Sequence, residues 1–232
     1  WSWTAATDAL SGVASYAWRV VTSLGAAVTN GTTTLTTVGT NLAEGIYNFF
    51  VKAIDNATNQ GSESTSSVTV DTTLPTITSI SSDKANGTYT TAEVIDIDVT
   101  FSEAVTSTGN VTVTLETGTT DQTCTFTVSN STTGTCNYTV VSGDTTSDLD
   151  GTITGTIKDQ ALNTLTNYTP TTTLAANKAL VIDAVAPVIT NKTATSGSTS
   201  ATISWDTNEA SSTQVLYGPT SIYGTTTTAT DT

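Results

Sequence analysis

The stretch Val94-Ile95-Asp96-Ile97-Asp98-Val99-Thr100-Phe101 decides the fold. Ile95, Ile97, Val99 and Phe101 share one parity, while Asp96, Asp98 and Thr100 share the other. One face is therefore apolar and the opposite one wet, which is the period of a strand buried on one side. The same alternation runs through Val111-Thr112-Val113-Thr114-Leu115, Phe126-Thr127-Val128 and Ala201-Thr202-Ile203-Ser204-Trp205. Threonine suits the solvated positions because its β-branched side chain favours extended backbone. No segment shows a 3.6-residue stripe. The sequence predicts an all-β chain.

Working outward, the composition removes whole classes of function. The 232 residues carry a net charge of −14, from 20 acidic side chains against 6 basic ones, with no His, no Met and 2 Cys. Without His there is no Ser-His-Asp or Cys-His catalytic pair and no His-ligated zinc. The few cations (Arg19, Lys52, Lys84, Lys158, Lys178, Lys192) are scattered, so nothing neutralises a run of phosphates and nucleic acid is not an expected partner. Apolar runs are only a few residues long, so no membrane insertion is expected.

The chain also repeats itself. Asp55-Asn56-Ala57-Thr58-Asn59 matches Asp159-Gln160-Ala161-Leu162-Asn163 as D-x-A-x-N. Downstream of each, a strand ends in an Asp followed four residues later by Pro, at Asp71…Pro75 and Asp183…Pro187. Phe101-Ser102-Glu103-Ala104 recurs in outline as Trp205-Asp206-Thr207-Asn208-Glu209-Ala210, and Trp3-Thr4-Ala5-Ala6-Thr7-Asp8-Ala9 has a similar layout. Fixed self-similarity implies tandem modules. Because Pro is confined to edge strands and strand starts, each D-x-x-x-P reads as a linker into a new first strand. The expected units are 1–72, lacking its first strand, 73–184, complete, and 185–232, the N-terminal part of a third.

The middle unit resembles bacterial extracellular immunoglobulin-like repeats, through Asn86-Gly87-Thr88-Tyr89, Val99-Thr100-Phe101-Ser102-Glu103-Ala104-Val105, Ser142-Gly143-Asp144, Ile157-Lys158-Asp159 and Ala176-Asn177-Lys178-Ala179. The flanking units resemble fibronectin type III modules, with Leu42–Asp55 similar to the E–F turn and F strand. Cadherin-like arrays are similar in layout. The resemblance implies tandem immunoglobulin-like β-sandwiches joined by short Asp-x-x-x-Pro linkers. Fold alone does not fix a task.

Sandwich topology places the repeated acids. With 94–101 as strand B and 151–157 as strand F, Glu103 and Asp159/Asn163 fall in the B–C and F–G loops, and Asp71 precedes strand A at the same end. Hard oxygen donors from separate segments suit Ca²⁺, which takes six to eight oxygens, and the resemblance implies the same structural ion. Two partial clusters are expected from Asp183, Asp206 and Glu209, and from Asp8, Asp55 and Asn59. The alternative for all of them is turn capping, since Asp and Asn bond local backbone in loops.

Cys124 and Cys136 share parity with neighbouring apolar residues on two strands joined by Asn130-Ser131-Thr132-Thr133-Gly134, so a cross-strand disulfide is expected, the alternative being two buried thiols. It would stabilise by about 3 kcal/mol and imply an oxidising, extracellular setting. Sequons at Asn30, Asn56, Asn86, Asn110, Asn130, Asn137, Asn167 and Asn191 mark candidate N-glycosylation sites, although a Thr-rich chain makes many by chance. Thr225-Thr226-Thr227-Thr228 could carry O-linked sugar by composition. Trp3 and Trp205 are expected in the core. Asp96/Asp98 and Asp148/Asp150 are carboxylate pairs without an implied cleft, so no enzyme is expected.

The functional expectation is a structural or adhesive segment of an extracellular surface protein: a stalk, fibre, filament or surface layer of calcium-stiffened repeats. Its partners would be neighbouring immunoglobulin-like domains of the same long chain or polymer, and surface glycans or host ligands. The rival is a non-catalytic spacer or carbohydrate-binding region of a secreted hydrolase. Completion of the end units by strands from neighbouring chains is the more adventurous version.

Overall fold

A computed structural model describes residues 1–219, 224–227 and 230–231. Thr228, the last of the threonine run, lies outside the described residues. Strands β1 (Val13–Thr22), β2 (Ala27–Thr33), β3 (Gly45–Asp55) and β4 (Ser64–Val70) form an antiparallel sheet in the order β2-β1-β3-β4. Its inner face presents Tyr16, Val20, Tyr47, Phe49 and Val51 to Trp1, Trp3, Val38 and Leu42. Trp1 stacks on Phe49 at 5.0 Å and Trp3 meets Tyr16 edge-on at 5.3 Å, so Trp3 packs against the core as expected. The facing layer is slight, a single bridge between Ser2 and Thr37.

Ten strands and a one-turn helix follow. They are β5 (Ile77–Ser81), β6 (Gly87–Tyr89), β7 (Val94–Ser107), β8 (Val111–Leu115), β9 (Gln122–Phe126), β10 (Ser131–Thr139), β11 (Thr145–Thr146), β12 (Gly151–Thr154), β13 (Ile157–Asp159), α1 (Leu174–Asn177) and β14 (Leu180–Asp183). One sheet is built on β7, with β10 along one edge and β5 and β13 along the other. A second has the order β12-β8-β9, and a third β11-β14-β6, in which β14 and β6 run parallel. The alternating residues do what their parity demands: Ile95, Ile97, Val99 and the β8 residues Val111, Val113 and Leu115 are all 0 % exposed. Each such side chain contributes roughly 1.5–3 kcal/mol by leaving water, and all belong to one core between the sheets.

Cys124 and Cys136 are bonded, with Cα atoms 5.6 Å apart, and both are buried in that core. The bridge differs from the expected one in its place. Cys124 is on β9 and Cys136 on β10, which belong to different sheets, so the bond ties the two layers rather than two hydrogen-bonded neighbours. The connection also differs, since β10 already begins at Ser131 and the turn centres on Asn130 at φ 47°.

The last described part holds β15 (Ile189–Ser196) paired antiparallel with β16 (Ala201–Thr207), then β17 (Ser212–Thr213), β18 (Leu216–Tyr217), β19 (Thr225–Thr226) and β20 (Thr230–Asp231) as short pairs β17·β20 and β18·β19. Trp205 is not in a closed core. It is half-buried and lines an open groove with Ile203, Leu216 and Tyr217, across which β17 and β18 face β16.

Candidate metal centre

The D-x-A-x-N repeat is a hairpin turn. At its second copy the Asp159 N–H donates to Asn163 O (3.0 Å), and Leu162 adopts a left-handed backbone at φ 73°. Asn163 then grips the carboxylate twice, its backbone N–H on Oδ1 and its Nδ2 on Oδ2, both at 2.8 Å. The first copy is the same device. Thr58 sits at φ 69°, and Asn59 donates to Asp55 through N (2.7 Å) and Nδ2 (2.8 Å). The motif thus needs Asp as double acceptor and Asn as double donor, and the turn-capping role holds in both copies.

Among the described residues, the second copy alone belongs to a group of three acids. Asp71 follows β4 in extended chain and takes the Thr73 N–H on Oδ1 at 3.0 Å. Glu103 is not in a B–C loop as expected, for β7 runs on to Ser107. It lies in a bulge instead. Against β10 the pairing jumps from Thr100↔Thr133 to Val105↔Ser131, so the intervening β7 residues have too few partners and are pushed out of register. Bulges re-aim side chains, and this one turns Glu103 towards Asp159, the last residue of β13. Carboxylate oxygens of Asp71, Glu103 and Asp159 all lie within 4.8 Å of one another.

No cation of the chain balances them, since the only salt bridge among the described residues joins Arg19 to Glu63. Asp159 is 3 % exposed. Burial, then the charges of Asp159 and Asp71, push the Glu103 carboxyl above its ordinary range. Two carboxylates about 5 Å apart repel by roughly 3 kcal/mol at an effective dielectric of 20. Among the described residues the Glu103 carboxylate accepts no hydrogen bond, leaving both its oxygens and Asp71 Oδ2 open, which is a donor set fit for a hard divalent ion. Of the Asn163 amide, whose oxygen is the expected ligand atom, the structure shows the nitrogen engaged. This Nδ2 faces Asp159 Oδ2, Asp71 O and Thr73 O, so it acts here as a donor that fixes the carboxylate and the linker.

Of the other expected clusters, Asp183, Asp206 and Glu209 are not gathered among the described residues, whereas Asp8 and Asp55 both meet Ser11, with Asn59 bonded to Asp55. Asp8 accepts from Ser11 N, Ser11 Oγ and Gly12 N, and these bonds hold its carboxyl below the usual range. Asp55 is lowered chiefly by the Asn59 side chain. Asp206 takes the Asn191 amide at 2.6 Å, while Asp183 ends β14 and Glu209 lies beyond β16, neither joining a group of acids. A group that the sequence reading did not assemble is Asp83, Asp96 and Asp98, again within 4.8 Å. Asp96 and Asp98 are the wet positions of the opening stretch. Asp83 reaches them because β5 pairs with β7 in the register Ser81↔Asp98, a long-range pairing that local alternation does not encode. Asp148 and Asp150 cap backbone N–H groups of Leu180, Gly151 and Leu174. All eight sequon asparagines are exposed.

No family profile matches the chain, and no curated protein matches it. Among solved structures it is similar to a tetra-tandem repeat in the extending region of a large adhesion protein, at 19% identity and a TM-score of 0.39, covering 86% of this chain and 50% of that one. It is also similar to fibronectin(III)-like modules of Clostridium thermocellum CbhA, at 15% identity and a TM-score of 0.31, covering 75% of this chain and 83% of that one. The chain therefore spans half the length of the adhesion-protein structure. Likeness at this level assigns no activity, ligand or partner.

Proposed function

We propose that the chain is a structural or adhesive segment of an extracellular surface array, in which Ca²⁺ held by Asp71, Glu103 and Asp159 stiffens the junction between units 1–72 and 73–184, with 185–232 beginning a third. The observation that carries this reading is the convergence of three uncompensated carboxylates from a linker, a bulge inside β7 and the end of β13, far apart in sequence. The buried inter-sheet disulfide fits an oxidising compartment, and none of the described helices is long and apolar enough to cross a membrane. Exposed sequons leave room for glycans, and serial repetition would make the stalk or filament. Catalysis is no part of the proposal.

The test is thermal unfolding in Ca²⁺ against chelator. Saturation at a hundredfold excess over the dissociation constant stabilises by about 2.7 kcal/mol, so the midpoint rises with Ca²⁺ and the rise is lost in Glu103→Gln. An unchanged midpoint leaves the turn-capping reading, with Asp71 and Asp159 bonded to local backbone. A second reading, a carbohydrate-binding spacer of a secreted hydrolase, is favoured by the open groove carrying Trp205 and Tyr217. Tryptophan fluorescence titrated with soluble oligosaccharides tests it, and a saturable change absent in Trp205→Ala would support it.

A further inference from the structure

The segment between β4 and β5 is gripped from both sides by side chains that have no need of an ion. From the first unit, Glu44, just before β3, accepts the hydroxyls of Thr72 (3.1 Å) and Thr73 (3.0 Å) on one carboxylate oxygen. From the second unit, Asn163 donates its Nδ2 to the carbonyls of Asp71 (3.0 Å) and Thr73 (3.2 Å). Thr73 is therefore engaged at every polar group: its N–H on Asp71, its hydroxyl on Glu44 and its carbonyl on Asn163. Next along the chain, Thr76 and Ser102 bond reciprocally, Ser102 N to Thr76 O at 2.9 Å and Thr76 N to Ser102 Oγ at 3.0 Å.

We propose that Glu44 and Asn163 form a two-sided latch on Thr73 that sets the relative orientation of the two units in the absence of any cation. This rests on reading the chain as an array of linked units, and not on the presence of calcium. Backbone in a free linker turns to water and samples many orientations. Here consecutive residues are bonded to side chains that directly flank strands, Glu44 just before β3 and Asn163 in the turn after β13. The D-x-A-x-N asparagine thus has two jobs. Asn59 shows the turn-closing job alone, with no bond to a linker among its contacts, while Asn163 adds the docking job.

That pair supplies its own control. Residual dipolar couplings and amide hydrogen exchange are measured in chelator on the wild-type chain and on Asn163→Ala, Asn59→Ala, Glu44→Ala and Thr73→Val. The expected result is a common alignment of residues 13–70 and 77–183 in the wild type. In Asn163→Ala, Glu44→Ala and Thr73→Val the two units align independently, and exchange at the amides of residues 71–74 and 76 quickens roughly fivefold for each hydrogen bond lost. Asn59→Ala leaves both readouts unchanged. Independent alignment in the wild type, or an Asn163→Ala variant that behaves like Asn59→Ala, would overturn the latch. Thr73→Val touches neither hairpin turn and decides the matter if Asn163→Ala loses its fold. Because all arms exclude calcium, a failed latch leaves the cation reading to its own titration.

Discussion

Glu103 is held where its charge is least welcome, half-buried between Asp71 and Asp159, its carboxylate accepting no hydrogen bond among the described residues. Replacing it by Gln removes two repulsive pairs, so in chelator Glu103→Gln should melt above the wild type, while in Ca²⁺ the order reverses. The proton dependence has a definite sign. A carboxyl whose folded value is raised above its ordinary 4.5 contributes stability that is fully present below 4.5 and lost as pH rises through the raised value. Chelated wild type should therefore gain in melting temperature on mild acidification from neutrality, and Glu103→Gln should gain less. Tyr138 gives a second titration at the other end of the scale. Burial, then its hydrogen bond to Asp144 (2.7 Å) and that residue's charge, raise the phenol well above 10.0. Its contribution is intact below pH 10 and declines at higher pH, and Tyr138→Phe should cost about 1–2 kcal/mol at neutrality while flattening that alkaline decline. Much at this scale was readable beforehand: the repeat itself singled out Asp159, and the linker pattern singled out Asp71. The donor role of Asn163 was not, because residue type gives an amide both an oxygen and a nitrogen and only the neighbours decide which is used.

At the scale of elements, β9 and β10 face each other across the two layers. Gly134 lies on β10 where an added Cβ would fall 2.1 Å from the Phe126 ring on β9, so this contact demands glycine for space. Gly134→Ala should destabilise by about 1–3 kcal/mol through overpacking, read as a lower denaturant midpoint at unchanged slope. Replacing both cysteines with Ser should cost about 3 kcal/mol in the chain-entropy model. The strands themselves were legible because parity is local: Val94–Phe101 and Val111–Leu115 needed no knowledge of their neighbours. Which strand lies beside which is another matter. The Cys124–Cys136 bond spans two sheets, Glu103 sits in a bulge inside β7, and Asp83 joins Asp96 and Asp98 only through the β5·β7 register. Each depends on contacts distant in sequence, which alternation does not carry. Trp205 is only half-buried for a similar reason, since the cover of its face depends on strands distant in sequence, and β17 and β18 meet it across an open groove.

For the molecule as a whole, the wet sheet faces carry hydroxyls and acids, and the formal charge of −14 keeps copies apart. Unscreened repulsion of this size should also extend the chain. Small-angle scattering at low salt is therefore expected to show a larger maximum dimension than at 0.5 M NaCl, with Ca²⁺ at constant ionic strength narrowing the spread of conformations rather than shortening the particle. A scattering curve insensitive to both would count against a stiffened array.

The parallel pairing of β14 with β6, in the register Leu180↔Gly87 to Ile182↔Tyr89, bears on how such a segment would answer a pull. Traction applied upstream of β6 and downstream of β14 drags two parallel strands past one another lengthwise, so their bonds resist in shear, together, rather than peeling singly like a zipper. Beyond that clasp, the covalent bridge between Cys124 and Cys136 caps how much chain can be paid out before the load passes to the next unit.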